Sequence, residues 1–280
     1  MATVALRREN ASDVSGIRRN PVDNKARAVA EPIVDAIRSE GEAALRRYAE
    51  RFGELQPGGK LILSRDEELR AAYESITSAE RECLIRTATR IRVFAEAQRA
   101  ALTEVTIPIP GGEAGHTVEP VEAAGCYAPG GRYPLPSTVL MTAITARAAG
   151  CKRVVVASPR PTRITLAAAY VAEADCLMPV GGAHAIAALA YGAGEVLTAC
   201  DAVVGPGNAF VTAAKSLVAG SVAIDMLAGP SEVQAILPRP SYPGHPTHPF
   251  TDVHACLPAY PRSRLLTDTP ACLPTHPLTD

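Results

Sequence analysis

The sequence predicts an α/β fold: a Rossmann-like parallel sheet lobe, preceded by a helical N-terminal region and followed by a disordered C-terminal tail. Three observations predict it. Between residues 118 and 237, short apolar runs alternate with helical stretches, the rhythm of a parallel sheet with helices on both faces. Runs such as Arg153 to Ala157 (RVVVA) are apolar almost throughout, as strands buried on both sides are. Before residue 118 helical spacing dominates, and after Leu237 both patterns stop. The expected boundaries are therefore 1–117, 118–237 and 238–280.

Residues 22–105 read as helical. Glu42 to Phe52 (EAALRRYAERF) is amphipathic and is stopped by Gly53. Thr77-Ser78-Ala79-Glu80 is a T-x-x-E capping box, in which hydroxyl and carboxylate each satisfy an orphan backbone N–H. Behind it, Leu84, Ala88, Ile91 and Ala95 recur at helical spacing, predicting a helix to about Leu102. Arg86, Arg90, Glu96 and Arg99 form its solvated face.

The lobe follows in order. Val118 to Ala123 is an expected strand, Tyr127 to Pro136 (YAPGGRYPLP) a rigid loop and Ser137 to Ala149 a helix. Arg153 to Ala157 is a buried strand and Thr162 to Glu173 a helix. Ala174 to Val180 leads as a strand into Gly181-Gly182, and Ala183 to Tyr191 is a helix. Ala202 to Val204 is a strand ending at Gly205, and Asn208 to Val218 a helix. Val222 to Asp225 and Glu232 to Leu237 close as strands.

Composition excludes several functions. The chain has 280 residues, enough for a substantial core, and a net charge of -1, which argues against a nucleic-acid or membrane surface. Aromatic residues are 4% and Trp is absent, which removes a base-stacking platform. No apolar run reaches the ~20 residues of a membrane helix. The Arg-rich, acid-containing N-terminus is no secretory signal; a cytoplasmic location is expected, and a plastid is compatible. Seven Cys without a C-x-x-C pair predict reduced, partly buried thiols.

The tail has a different character. Residues 238–280 hold 10 of the 24 prolines, and Thr251 to Pro261 (TDVHACLPAYP) repeats as Thr267 to Pro277 (TDTPACLPTHP). Proline at this density breaks helices and removes ladder donors, so disorder is expected. His245, His248, His254 and Cys256 are zinc-competent residue types. They follow the proline repeat rather than a scaffold that would converge four ligands, and no metal site is expected there.

Candidate chemistry collects in Gly-rich loops: Pro129-Gly130-Gly131, Gly181-Gly182, Gly205-Pro206-Gly207 and Gly229-Pro230. In a parallel sheet these lie at the carboxyl edge, where ligands bind. Tyr127 stands beside the first loop, which ends at Ser137 and Thr138 on a helix start. His184 falls in the first turn of a helix, where its charged form is disfavoured; it reads as a ligand contact or as a satisfied surface histidine. Asn208 sits at a helix cap, where side chain and free N–H groups take an anion or a polar cofactor group, or where it only caps. Ser231 follows a Gly-Pro turn with Asp225 and Glu232 nearby, and no base stands within its motif to make it a nucleophile. G-P-G-N is not the G-x-G-x-x-G dinucleotide fingerprint.

Taken together, Tyr127 to Met141 (YAPGG…STVLM), Val180 to Gly192 (VGGAHAIAALAYG), Gly205 to Lys215 (GPGNAFVTAAK) and Ile224 to Glu232 (IDMLAGPSE) resemble the histidinol dehydrogenase family over residues 20–237. The resemblance implies an NAD- and zinc-dependent oxidation of L-histidinol to L-histidine through the aldehyde, in a homodimer with Rossmann-like lobes. Carried over by position, Tyr127 and Asn208 match NAD-binding residues and Ser231 a substrate contact. The third NAD position, Gln in the family, is His184 here, and an imidazole cannot copy an amide's donor–acceptor pair.

The family's zinc ligands and its Glu-His acid–base pair have no counterpart in this sequence, so neither catalytic nor metal residues are assigned. The expectation is a truncated, inactive N-terminal part of a histidinol dehydrogenase, with an apolar face left uncovered. The alternatives are a non-catalytic fragment that binds NAD weakly or pairs with a full-length subunit, and a metal-binding tail on an α/β scaffold.

Overall fold

Asp23 starts the first helix among the described residues by accepting the Lys25 N–H at 2.8 Å, an ordinary N-cap. The computed structural model describes residues 21–130 and 134–227. The expected strand Glu232 to Leu237 and the tail lie outside them. Helix α1 (Asn24–Glu40) buries Ala26, Ala30, Ile33, Val34 and Ile37, one helical stripe. Gly41 turns the chain into α2 (Glu42–Arg51), which buries Ala44, Leu45 and Ala49.

The segment expected to be wholly helical is interrupted. Strand β1 (Leu63–Ser64) pairs antiparallel with residues 176–177, and a π-helical turn (Arg65–Leu69) leads into α3 (Arg70–Ser75). A two-residue strand is too short for periodicity to register, and only its partner defines it. Helix α4 (Ser78–Ala100) opens on the expected capping box. The Glu80 N–H donates to Thr77 Oγ1 at 3.2 Å, and the Thr77 N–H to Glu80 Oε2 at 2.8 Å.

Two further differences follow. Strands β2 (Val105–Ile109) and β3 (Gly112–His116) form an antiparallel hairpin exposed on both faces. The central strand is β4 (Ala123–Tyr127), where Val118 to Ala123 was expected. Pro120 has no N–H to give a ladder. The run AAGCY has weak strand propensity, yet it is buried throughout because its neighbours need small residues there.

The remaining elements match expectation within a few residues: α5 (Pro136–Ala149), β5 (Arg153–Ala157), α6 (Arg163–Val171), β6 (Cys176–Met178), α7 (Gly182–Tyr191), β7 (Ala202–Val204), α8 (Ala209–Val218) and β8 (Ala223–Ile224). The strands form a sheet in the order β1-β6-β5-β4-β7-β8, parallel except for β1. The order reverses beside β4, which creates a switch point between β4 and β7.

Alternation along the strands feeds two cores. Tyr127, Val155, Ala157, Met178 and Val203 meet α1, α2, α7 and α8 on one face. Cys126, Val154, Val156 and Leu177 meet α4, α5 and α6 on the other. Helix α7 is buried at every position from Ala183 to Ala190. Its alanines let the sheet and its neighbouring helices approach closely, and a Cβ on Gly125 would already stand 3.0 Å from Leu189.

Burial pushes the Cys126 thiol up to about 12 and those of Cys176 and Cys200 up to about 11. Such thiols are inert as nucleophiles, whereas Cys83 is exposed. Alkylation of the native chain at mildly alkaline pH, mapped by mass spectrometry, is expected to label Cys83 first among the described cysteines. Cys126 and Cys200 should label only on unfolding. Leu189→Ala is expected to destabilise the chain by about 2–5 kcal/mol, read from its urea midpoint.

Candidate functional site

Tyr127 ends β4, and its side chain turns into the core rather than into solvent. Its phenol oxygen accepts the Gly182 N–H at 3.2 Å. Burial pushes the phenol above its ordinary pKa; the Gly182 N–H partly opposes this, and the Glu54 carboxylate adds to it. Gly182 opens α7 with a φ of 62°, the left-handed region that glycine enters without strain.

Glu54, just beyond α2, closes the same turn. Its Oε2 accepts the Gly181 N–H at 3.0 Å and lies 2.9 Å from His184 Nε2. His184 is only 2% exposed. The alternative of a surface histidine is thereby corrected: α2 and the chain after it cover this side of α7. Phe52 and Tyr48 lie against the ring at centroid distances of 5.4 and 6.3 Å. His184 Nδ1 is buried and has no hydrogen-bond partner among the described residues.

The third loop is held from the other side. Gly205 has a φ of 119°, and a Cβ there would meet the Tyr127 carbonyl oxygen at 2.0 Å, so only glycine fits. Asn208 caps α8 through Oδ1, which accepts the Phe210 and Val211 N–H groups at 3.0 and 3.1 Å. Its carboxamide NH2 remains available to a ligand. Lys215 is 3% exposed; its ammonium donates to the Gly205 carbonyl and to Asp225 Oδ1. Asp225 Oδ2 in turn accepts the Gly205 N–H at 2.9 Å.

The carboxyl edge of the sheet thus joins Tyr127, the 181–182 turn and His184 directly, and sets the 205–208 loop against Tyr127. Ser137 lies in the first turn of α5. Ser231 and Glu232 lie outside the described residues. Sequence reading missed Glu54, which no local motif marks. It also passed over the Lys215–Asp225 pair, although a lone lysine on the apolar stripe Val211, Lys215, Val218 signals burial.

A broad depression of about 700 Å³ lies at the opposite, amino edge, lined in part by Cys200, Asp201, Gly220 and Ser221. It carries little chemistry, because the Asp201 carboxylate is engaged by the Ala123 N–H at 2.8 Å. The carboxyl edge is therefore the candidate site. Its unpaired His184 Nδ1, the Tyr127 hydroxyl and the Asn208 amide are groups that fit a polar cofactor. Zinc has no such fit: no cluster of three or more His, Cys, Asp or Glu that could hold a metal occurs among the described residues.

A family model, Histidinol dehydrogenase, matches residues 17–243, the span that carries all these loops. The chain belongs to the histidinol dehydrogenase family. A histidinol dehydrogenase of Haloarcula marismortui is 46% identical over 207 residues, 73% of this chain and 48% of that relative. One of Pseudomonas aeruginosa is 41% identical over 249 residues, 84% of this chain and 56% of that relative. The crystal structure of histidinol dehydrogenase from Elizabethkingia anophelis aligns with a TM-score of 0.69 and 29% identity, covering 79% of this chain and 51% of that one. The chain spans about half the length of the curated histidinol dehydrogenases it matches.

Removing one partner of a buried ion pair strands the other charge. Asp225→Ala is expected to cost about 3 kcal/mol by chemical denaturation, because it leaves the Lys215 ammonium buried beside a single carbonyl.

Proposed function

We propose that this chain carries the cofactor face of a histidinol dehydrogenase, in which NAD is held at the carboxyl edge by Tyr127, His184 and Asn208. The observation that supports this most is the convergence of these three positions on one edge of a parallel sheet, around the β4–β7 switch point, where α/β folds take ligands. In the proposed reaction, L-histidinol is oxidised in two steps to L-histidine. NAD supplies the hydride acceptor. Tyr127 orders the 181–182 turn through its hydroxyl, and Asn208 offers its carboxamide NH2 while its oxygen starts α8.

Ser231 is the proposed substrate contact. Zinc belongs to the proposed enzyme through its family, and the described residues converge no ligand set for it. A second reading is a non-catalytic piece that binds NAD or pairs with a full-length subunit. Homodimer formation is proposed as well, supported by Val93 and Phe94, which stand 63% and 66% exposed on α4. Among the described residues no helix is long and apolar enough to cross a membrane.

Asn208→Ser keeps a capping oxygen and removes the carboxamide NH2. NAD affinity, measured by calorimetry, is expected to fall about five- to tenfold while the melting temperature stays unchanged. Equal affinity would reduce Asn208 to a helix cap. Incubation of the chain with histidinol, NAD and zinc separates the two readings: NADH formation supports the enzyme, and NAD binding without NADH supports the non-catalytic piece.

A further inference from the structure

The turn at 181–182 looks like an anion site, with glycine amides at the start of a ten-residue helix. Its first two amides are already taken. The Gly181 N–H donates to Glu54 Oε2, and the Gly182 N–H to the Tyr127 hydroxyl. A carboxylate therefore sits where an anion would go. What the turn leaves unpaired is His184 Nδ1, buried and without a partner among the described residues.

The protonation of that ring follows from its partners. A carboxylate only accepts: Glu54 Oε2 takes the Gly181 N–H, and Nε2, 2.9 Å from the same oxygen, is the donor to it. With its hydrogen on Nε2, the ring leaves Nδ1 as a bare acceptor, buried and without a partner among the described residues. The Nδ1–Cε1 edge faces the turn: a Cβ on Gly182 would stand 3.6 Å from both atoms.

We propose that Glu54 is a positioning residue that fixes His184 in the Nε2–H tautomer. The 181–182 turn is thereby a site for a ligand's hydrogen-bond donor, an amide NH2 or a hydroxyl, and not for its phosphates. The identity of that ligand as NAD rests on the cofactor reading above; the tautomer does not.

The test is 15N NMR of the full chain labelled at histidine, with the His184 signals identified by their loss in His184→Gln. In the native chain Nδ1 is expected to be pyridine-like and Nε2 pyrrole-like at neutral pH; a protonated Nδ1 overturns the proposal. Glu54→Gln keeps an oxygen for both contacts and should retain the tautomer, whereas Glu54→Ala should give a tautomer mixture. NAD affinity should fall about tenfold in Glu54→Ala and stay near native in Glu54→Gln. An unchanged tautomer in Glu54→Ala overturns the role of Glu54. Inorganic phosphate that shifts the Gly181 and Gly182 amides overturns the donor site. A native chain with the expected tautomer that binds no NAD defeats the cofactor reading and leaves the assignment of Glu54 in place.

Discussion

Strand β4 is the constraint on which the rest depends. It is the parallel strand with β5 on one side and β7 on the other, and it faces both cores. Space around it is tight. Gly125 accepts Leu189 of α7, and the backbone of Tyr127 accepts Gly205. Larger residues at either glycine would push α7 off the sheet or open the β4–β7 crevice. Strand propensity is therefore given up at AAGCY in exchange for close approach, a local conflict that packing resolves. Tyr127 at its end inherits a fixed position, and so does the turn that Tyr127 holds.

The two glycine loops at this edge share one device. A carboxylate from another part of the chain accepts the leading glycine N–H: Glu54 for Gly181 and Asp225 for Gly205. Each carboxylate also meets a buried basic side chain, His184 in the first case and Lys215 in the second. Burying such groups is costly unless every polar atom finds a partner. Lys215 and Asp225 meet that condition through the Gly205 backbone. His184 does not, since Nδ1 has no partner among the described residues, which leaves it able to gain one hydrogen bond. Loops held this way are ordered before any ligand arrives, which lowers the entropy cost of binding.

This arrangement fits the half of the histidinol dehydrogenase family that the chain covers. Parallel strands deliver the positions, and the family match spans residues 17–243, which include the strands and the loops between them. The imidazole of His184 is held by Glu54 through Nε2, and its other nitrogen, Nδ1, has no partner among the described residues.

Sequence by itself determined what local chemistry fixes. The capping box at Thr77, the buried strand RVVVA, the cap at Asn208 and the glycine loops with their family pattern all depend on residues near in sequence. Hydrogen bonds within a turn and apolar periodicity leave a trace that one segment carries alone. Only the tertiary structure decided the two-residue β1, the shift of the central strand to Ala123–Tyr127, and the exposed hairpin. It also decided that His184 is buried and that Glu54, 130 residues away in the chain, is its partner. Pairing and burial are relations between distant segments: a strand needs its neighbour, and a carboxylate is drawn inside only by the donors that meet it there.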